Sequence, residues 1–139
     1  MQRVPERGDK PPMLAMELRP AHFPGRAPVD AYGDGGFRFA DMSHKGSMLF
    51  LPSGIYAWNI EAGDAFAPAS YDTVIREADQ IEVLLIGTGL DLKPIPSELR
   101  GLFRDKAISA DSMSTGAAVR TFNVLLAEGR AVAAAFLAV

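Results

Sequence analysis

Two glycine–threonine turns carry the residue types in this sequence that are best suited to binding an anion. Gly87-Thr88-Gly89 follows an apolar run at residues 81–86, and Ser114-Thr115-Gly116 opens a long helical pattern. Glycine lets the backbone approach a phosphate or carboxylate, a threonine hydroxyl donates a hydrogen bond, and a helix N-terminus favours negative charge. Each turn also has a structural alternative, because glycine is common in tight turns and serine or threonine in helix N-caps.

The first turn lacks the rest of a nucleotide-binding fingerprint. The dinucleotide pattern needs a third glycine three residues after Gly89, where Leu92 stands, and no P-loop lysine is present. Pro94 and Pro96 delay the next helix, so its N-terminus does not follow the glycines directly. These departures favour a tight structural turn. For the second turn, helix N-capping by Thr115 is favoured over an anion site.

Arg120 and Asn123 extend the second turn along the last helix. At 100° per residue, they share a narrow sector with Gly116 and Ala127, away from the apolar face. Arg120 lies in the N-terminal half of this helix, where the helix dipole disfavours a cation, and an anionic partner would offset that cost. An ion pair with a nearby Asp or Glu of the same chain is the favoured explanation, because such pairs are common.

The sequence contains no recognisable catalytic or metal-binding set. His22 and His44 have no second ligand at helical spacing, and His44 falls in residues 41–45, which we predict to be a loop between strands. The absence of cysteine excludes disulfides, thiol catalysis and thiolate metal sites. Ser53 is not part of a G-x-S-x-G elbow and is interpreted as a turn residue. We expect no catalytic residue, no metal and no cofactor.

Composition indicates one domain that does not bind nucleic acid. The chain has 139 residues and a net charge of −3, which opposes the basic patch that nucleic acid requires. No 18-residue apolar run and no signal-peptide pattern occur, so we expect a soluble, cytoplasmic bacterial protein that is not integral to a membrane. Six of the ten prolines lie within residues 1–30. They predict an extended or partly disordered arm over residues 1–28 and a domain over residues 29–139.

The periodicity of apolar residues predicts a mixed α/β fold with two parts. Short alternating runs before residue 60 predict an antiparallel β-meander, followed by a short helix that Ser70 caps and that runs through Glu77. From residue 81 onward, strands alternate with helices, which predicts a β-α-β-α-β unit with parallel strands. The predicted strands lie near residues 31, 37–39, 46–51, 55–60, 81–86, 107–111 and 131–137, and the later helices span 97–106 and 115–129.

This topology predicts that the two glycine–threonine turns are neighbours. The loops that follow parallel strands emerge at the same edge of the sheet, where ligands bind in open α/β sheets. We therefore expect residues 87–89 and 113–116 to lie close together, with a small pocket between them and Arg120 about one turn below its rim.

Several longer segments of this half of the chain resemble the Mth938-like family. They are residues 85–89, 96–100, 113–118 and 120–130, and the upstream residues 46–52 and Trp58 also fit. The resemblance covers roughly residues 29–139. It implies a layered α/β domain in a family that contains many uncharacterised bacterial proteins and an assembly factor of mitochondrial complex I. It supplies no catalytic residues.

Two functional hypotheses follow. The resemblance implies a non-catalytic interaction protein that assists assembly of a respiratory complex and binds one of its subunits or assembly factors. The alternative is a small-molecule or anion-binding domain, with or without enzymatic activity. Its binding residues would be those of the two turns and the helix stripe: Gly87, Thr88, Gly89, Ser114, Thr115, Gly116, Arg120 and Asn123.

Overall fold

Two β-sheets organise residues 23–60 and 65–139, which are the residues that the computed structural model describes. The first sheet is antiparallel, with β1, β2 and β3 side by side, and the second has five strands in the order β5-β4-β8-β6-β7. The strands are β1 (Ala31–Gly33), β2 (Gly36–Phe39), β3 (Met42–Lys45), β4 (Met48–Leu51), β5 (Gly54–Ala57), β6 (Val83–Gly87), β7 (Ser109–Met113) and β8 (Val132–Phe136).

Strand β6 pairs in parallel with both β7 and β8, whereas β4 pairs antiparallel with β8 and β5. The predicted fold class, an antiparallel meander followed by a β-α-β-α-β unit, is confirmed. The meander is divided between the two sheets, because β1–β3 form the small sheet and β4–β5 complete the large one.

Three α-helices connect and cover the strands: α1 (Asp72–Arg76), α2 (Ser97–Asp105) and α3 (Thr115–Ala127). The prediction that Ser70 caps a helix through Glu77 is wrong. Ser70 lies inside a 3-10 turn, Pro68–Tyr71, and α1 begins only after it, without a side-chain cap. Pro68 stands at the start of this turn, where its fixed φ suits a first helical position.

The large sheet is buried on both faces, and each face has its own core. Side chains alternate along β4, so that Met48 and Phe50 face one core and Leu49 and Leu51 the other. The first core also contains the inner faces of α3 and of the small sheet, and Phe50 packs edge-on against Phe122 at 5.3 Å between ring centroids. The second core contains the apolar residues of α1 and α2.

The predicted loop at residues 41–45 is wrong, because residues 42–45 form strand β3. His44 lies opposite Phe37, and Ser43 lies opposite Arg38. The turn before β3 contains Ala40 and Asp41, which both have positive φ, of 47° and 63°. Hairpin turns of this kind usually contain Asn, Asp or Gly, so Ala40 departs from the normal turn signal.

The predicted N-terminal arm lies mostly outside the described residues. Its last part, residues 23–28, lies against the large sheet. Phe23 exchanges two backbone hydrogen bonds with Ile55 of β5, and Arg26 Nη1 donates to the carbonyl of Val132. The prediction for residues 1–22, including His22, falls outside the described residues.

Candidate functional site

The two glycine–threonine turns are joined directly by backbone hydrogen bonds. Thr88 N donates to the Met113 carbonyl at 2.9 Å, and Thr115 N donates to the Gly89 carbonyl at 2.8 Å. Strands β6 and β7 are adjacent and parallel, with Gly87 opposite Met113, so both turns leave the same edge of the sheet. The two turns therefore form one continuous edge.

The Thr88 hydroxyl closes the first turn from inside. Thr88 is buried, and its Oγ1 lies 2.6 Å from the Asp91 carbonyl and 3.1 Å from the Met113 carbonyl. The same oxygen accepts a hydrogen bond from Lys93 N at 3.0 Å. A hydroxyl has one hydrogen to donate, so Thr88 uses its donor and an acceptor position within the protein. This network fixes the loop at residues 88–93.

The Thr115 hydroxyl ties three segments of the chain together. Thr115 is fully buried; its Oγ1 donates to the Leu137 carbonyl at 2.7 Å and accepts from Gly89 N at 3.0 Å. A Cβ on Gly87 would lie 3.0 Å from Thr115 Cα, so glycine permits this close approach. Thr115 thus joins α3, the turn after β6 and the chain after β8.

The prediction that Thr115 caps the last helix is wrong. The N-cap of α3 is Ser114, whose Oγ accepts a hydrogen bond from Ala117 N at 3.4 Å. Thr115 is the first residue of the helix, and its hydroxyl turns inward because the Leu137 carbonyl and the Gly89 amide both need a partner there.

Residues 29–32 cover part of the predicted helix stripe. Asn123 Oδ1 accepts from Val29 N and its Nδ2 donates to the Val29 carbonyl, both at 2.9 Å. At the other end of the stripe, Tyr32 Oη lies over Gly116, where a Cβ would collide with it. Gly116 and Asn123 therefore contact the segment that leads into β1 and hold it against α3.

Arg120 and Ala127 are the members of the stripe that stay exposed. Within the part of the chain that the structure describes, no side chain or carbonyl forms a hydrogen bond or ion pair with the Arg120 guanidinium. The ion pair that the sequence favoured for Arg120 is thus not formed among these residues. One turn further along α3, the apolar side chain of Val124 is also exposed.

A cavity that sequence reasoning did not anticipate opens on the small sheet. It has a volume of about 330 Å³, and its lining includes Tyr32, Arg38, His44 and Lys45. Burial lowers the pKa of His44, which favours its neutral form. Gly33, which lines the cavity, was the available signal, because no atom beyond its chain neighbours lies within 4 Å of the position its Cβ would take. Among the described residues, no group of three or more His, Asp or Glu side chains could hold a metal ion.

These features define a mixed α/β domain. At its carboxyl edge, which is the edge of the large sheet where β6 and β7 end, the hydroxyls of Thr88 and Thr115 bind the protein's own backbone. The chain belongs to the family described as "Protein of unknown function (DUF498/DUF598)", whose sequence profile matches residues 29–137.

Two relatives show the range of this similarity. An uncharacterized protein of Rhodobacter capsulatus is 36% identical over 122 residues, which covers 88% of this chain and 93% of the relative. The NADH dehydrogenase [ubiquinone] 1 alpha subcomplex assembly factor 3 of Mus musculus is 25% identical over 122 residues. That alignment covers 88% of this chain and 66% of the mouse protein, so the chain spans slightly less than two thirds of this relative.

Solved structures share the fold. A crystal structure described as an outer membrane protein from Bartonella henselae is 61% identical, with a TM-score of 0.78 over 84% of this chain and 98% of that one. A Bordetella pertussis protein described as a Mth938-like domain is 26% identical, with a TM-score of 0.69 over 88% and 92%. The predicted resemblance to the Mth938-like family is confirmed. No helix within residues 23–60 and 65–139 is long and apolar enough to cross a membrane.

Proposed function

We propose that this protein is a non-catalytic interaction protein that assists assembly of the respiratory NADH dehydrogenase. The observation that carries the proposal is the similarity to assembly factor 3, which extends over 88% of the chain. Its partner would be a subunit of the respiratory complex or another assembly factor. Fold alone does not determine function, so the proposal depends on recovering such a partner.

The geometry of the carboxyl edge supports a role in binding another protein. Thr88 and Thr115 use their hydroxyls to hold loops together, and Asn123 holds the segment before β1. Arg120 remains exposed beside this rigid edge. A rigid surface with an available cation suits recognition of another protein, because preorganisation lowers the entropic cost of binding.

We extend the proposal to the domain boundary and the location of the protein. The family match begins at residue 29, and Asn123 binds both backbone groups of Val29, which supports a domain over residues 29–139. Residues 23–28 pack against that domain, with Phe23 paired to β5 and Ala27 in the first core. A bacterial cytoplasmic location is consistent with a cysteine-free sequence, since the cytosol keeps thiols reduced and does not supply disulfides.

Affinity purification of the tagged chain from its native host tests the proposal. We expect NADH dehydrogenase subunits or assembly factors to be enriched over a purification with an unrelated tagged domain. Deletion of the gene should lower the amount of assembled complex on native gels. Recovery of no such protein, together with a normal amount of assembled complex after deletion, would contradict the proposal.

The alternative, an anion or small-molecule site built from the residues of the two turns and the helix stripe, stays a prediction. The exposed Arg120 close to the N-terminus of α3 is the observation that favours it. A thermal-shift screen with orthophosphate, citrate and nucleotides tests it. A ligand at a hundredfold excess over its Kd would stabilise the fold by about 2.7 kcal/mol, and Arg120→Ala should abolish that shift. An unchanged melting temperature with every compound would refute it.

A further inference from the structure

Four large apolar side chains are exposed in the described part of the chain, and three of them belong to α3 or to segments that contact it. The four are Tyr32, 41% exposed; Leu90, 84%; Leu92, 60%; and Val124, 56%. Val124 belongs to α3, and Tyr32 lies over Gly116 near its start. Leu90 follows Gly89, whose carbonyl accepts from the first residue of the helix. Exposed apolar side chains that cluster in this way mark interaction sites more often than isolated ones do.

The loop that carries two of these side chains is held in place. The Thr88 hydroxyl bonds to the backbone on both sides of Leu92, at Asp91 and Lys93. Gly89, with a φ of 98°, sets the entry of the loop, and its amide is bound by Thr115. Leu90 and Leu92 are therefore presented on an ordered loop, which lowers the entropic cost of covering them.

Arg120 defines the chemistry of what could cover this region. It lies on α3 between Gly116 and Val124 and has no ion pair within the described residues. The neighbouring loop contributes one acid and one base, Asp91 and Lys93, and the segment over the stripe contributes the exposed Asp30; none of the acids is paired with Arg120. A purely apolar partner would bury an unpaired guanidinium, which is costly, so a complementary partner must bring a carboxylate.

We infer that Tyr32, Leu90, Leu92, Arg120 and Val124 form a docking surface, the α3 surface, for a protein segment that presents apolar side chains around an acidic residue. From Thr115 to Val124 the helix extends about 13 Å, which matches two to three turns of a partner helix. A second copy of this chain fits less well, because a twofold contact centred here would bring two Arg120 side chains together. That the partner is a protein of the respiratory complex or one of its assembly factors rests on the proposed function.

Charge reversal and crosslinking test the α3 surface in the tagged full chain. Arg120→Glu and the double variant Leu90→Ser with Leu92→Ser should each lower partner recovery at least tenfold. Arg104→Glu is the matched control, because Arg104 is an exposed base on α2, on the opposite face of the large sheet. All three should keep the melting temperature of the parent chain, since the altered side chains are exposed.

A photo-crosslinker placed at position 90 or 124 should join an apolar peptide that contains Asp or Glu. Changing that acid to Lys should restore binding to Arg120→Glu.

The outcomes separate this inference from the proposed function. If the parent chain and the α3-surface variants recover respiratory-complex proteins equally well, the inference is overturned and the proposed function stands. Charge-dependent recovery of an acidic partner unrelated to the respiratory complex would support the α3 surface and contradict the proposed function. Crosslinks from position 90 or 124 that join two copies of this chain would also overturn the inference.

Discussion

Replacing Thr115 by valine should destabilise the domain by about 2–4 kcal/mol. Valine has nearly the shape of threonine, so packing is kept while the hydroxyl is lost. That hydroxyl serves the Gly89 amide at 3.0 Å and the Leu137 carbonyl at 2.7 Å, and Thr115 itself is fully buried. Each buried polar group that loses its partner costs about 1–3 kcal/mol. Two such groups would together cost about 2–6 kcal/mol. We expect the lower part of that range, because Gly89 and Leu137 are each partly exposed and water can reach them.

Urea unfolding followed by circular dichroism measures this loss directly. The midpoint should fall with little change in the slope, and the melting temperature should drop by about 6–15 °C for a domain of this size. Thr115→Ser is the matched control. It keeps the hydroxyl and loses one methyl group, so it should cost only about 1 kcal/mol, mainly from lost apolar burial. Amide hydrogen exchange at Gly89 should accelerate in the valine variant and stay slow in the serine variant.

Two results would refute this reasoning. A valine variant as stable as the parent would mean that water replaces both hydrogen bonds without cost. A serine variant less stable than the valine variant would mean that the Thr115 methyl group, and not its hydroxyl, is what the site requires. Either result would remove Thr115 as the tie between the two turns.

Three further predictions concern the fold. Gly87→Ala should cost about 1–3 kcal/mol, because its Cβ would press on buried atoms at 3.0–3.1 Å, whereas Gly101→Ala on α2 should gain about 0.5–1 kcal/mol in the same unfolding assay. Burial raises the pKa of Tyr71, so stability should fall as pH rises above about 10, and Tyr71→Phe should remove this alkaline loss in urea titrations at several pH values. Asn123→Leu should cost about 2 kcal/mol or more by unfolding, because both backbone groups of Val29 lose a partner.

The parallel half of the large sheet could be predicted because its signals are local. An apolar run at residues 81–86, an amphipathic helix and a second strand within 30 residues determine a right-handed crossover. The position of β4 beside β8 could not be predicted in this way. That pairing joins Met48 to Phe136, and nothing in either short segment selects the other as its neighbour.

Strand β3 shows how an unusual turn conceals a hairpin. Ala40 and Asp41 both adopt left-handed backbone conformations, which sequence patterns assign to Asn, Asp or Gly, so the alanine conceals the turn. Met42 and His44 are only partly buried, so the strand also lacks a strong apolar alternation. Pairing with β2, whose Phe37 and Phe39 enter the core, keeps it in the sheet in spite of these weak local signals.

At the candidate site, residue types were easier to predict than their partners. The adjacency of the two turns follows from parallel topology, whereas the prediction that Thr115 caps α3 was wrong because Ser114 is the N-cap. Thr115 binds the backbone of Leu137, which is 22 residues away, and Asn123 binds the backbone of Val29, which is 94 residues away. Such long-range partners appear only once the chain has folded.

A physical reason connects these observations. The carboxyl edge of a parallel sheet exposes amides and carbonyls that must find partners, and the residues suited to binding an anion are also suited to that task. Here Thr88, Thr115 and Asn123 are committed to the protein's own backbone. Among the described residues around them, the guanidinium of Arg120 is exposed and unpaired, and Tyr32, Leu90 and Val124 are exposed on α3 or on segments that contact it. Recognition should therefore depend on Arg120 and its apolar neighbours, and the threonines should affect it only by holding the loop in place.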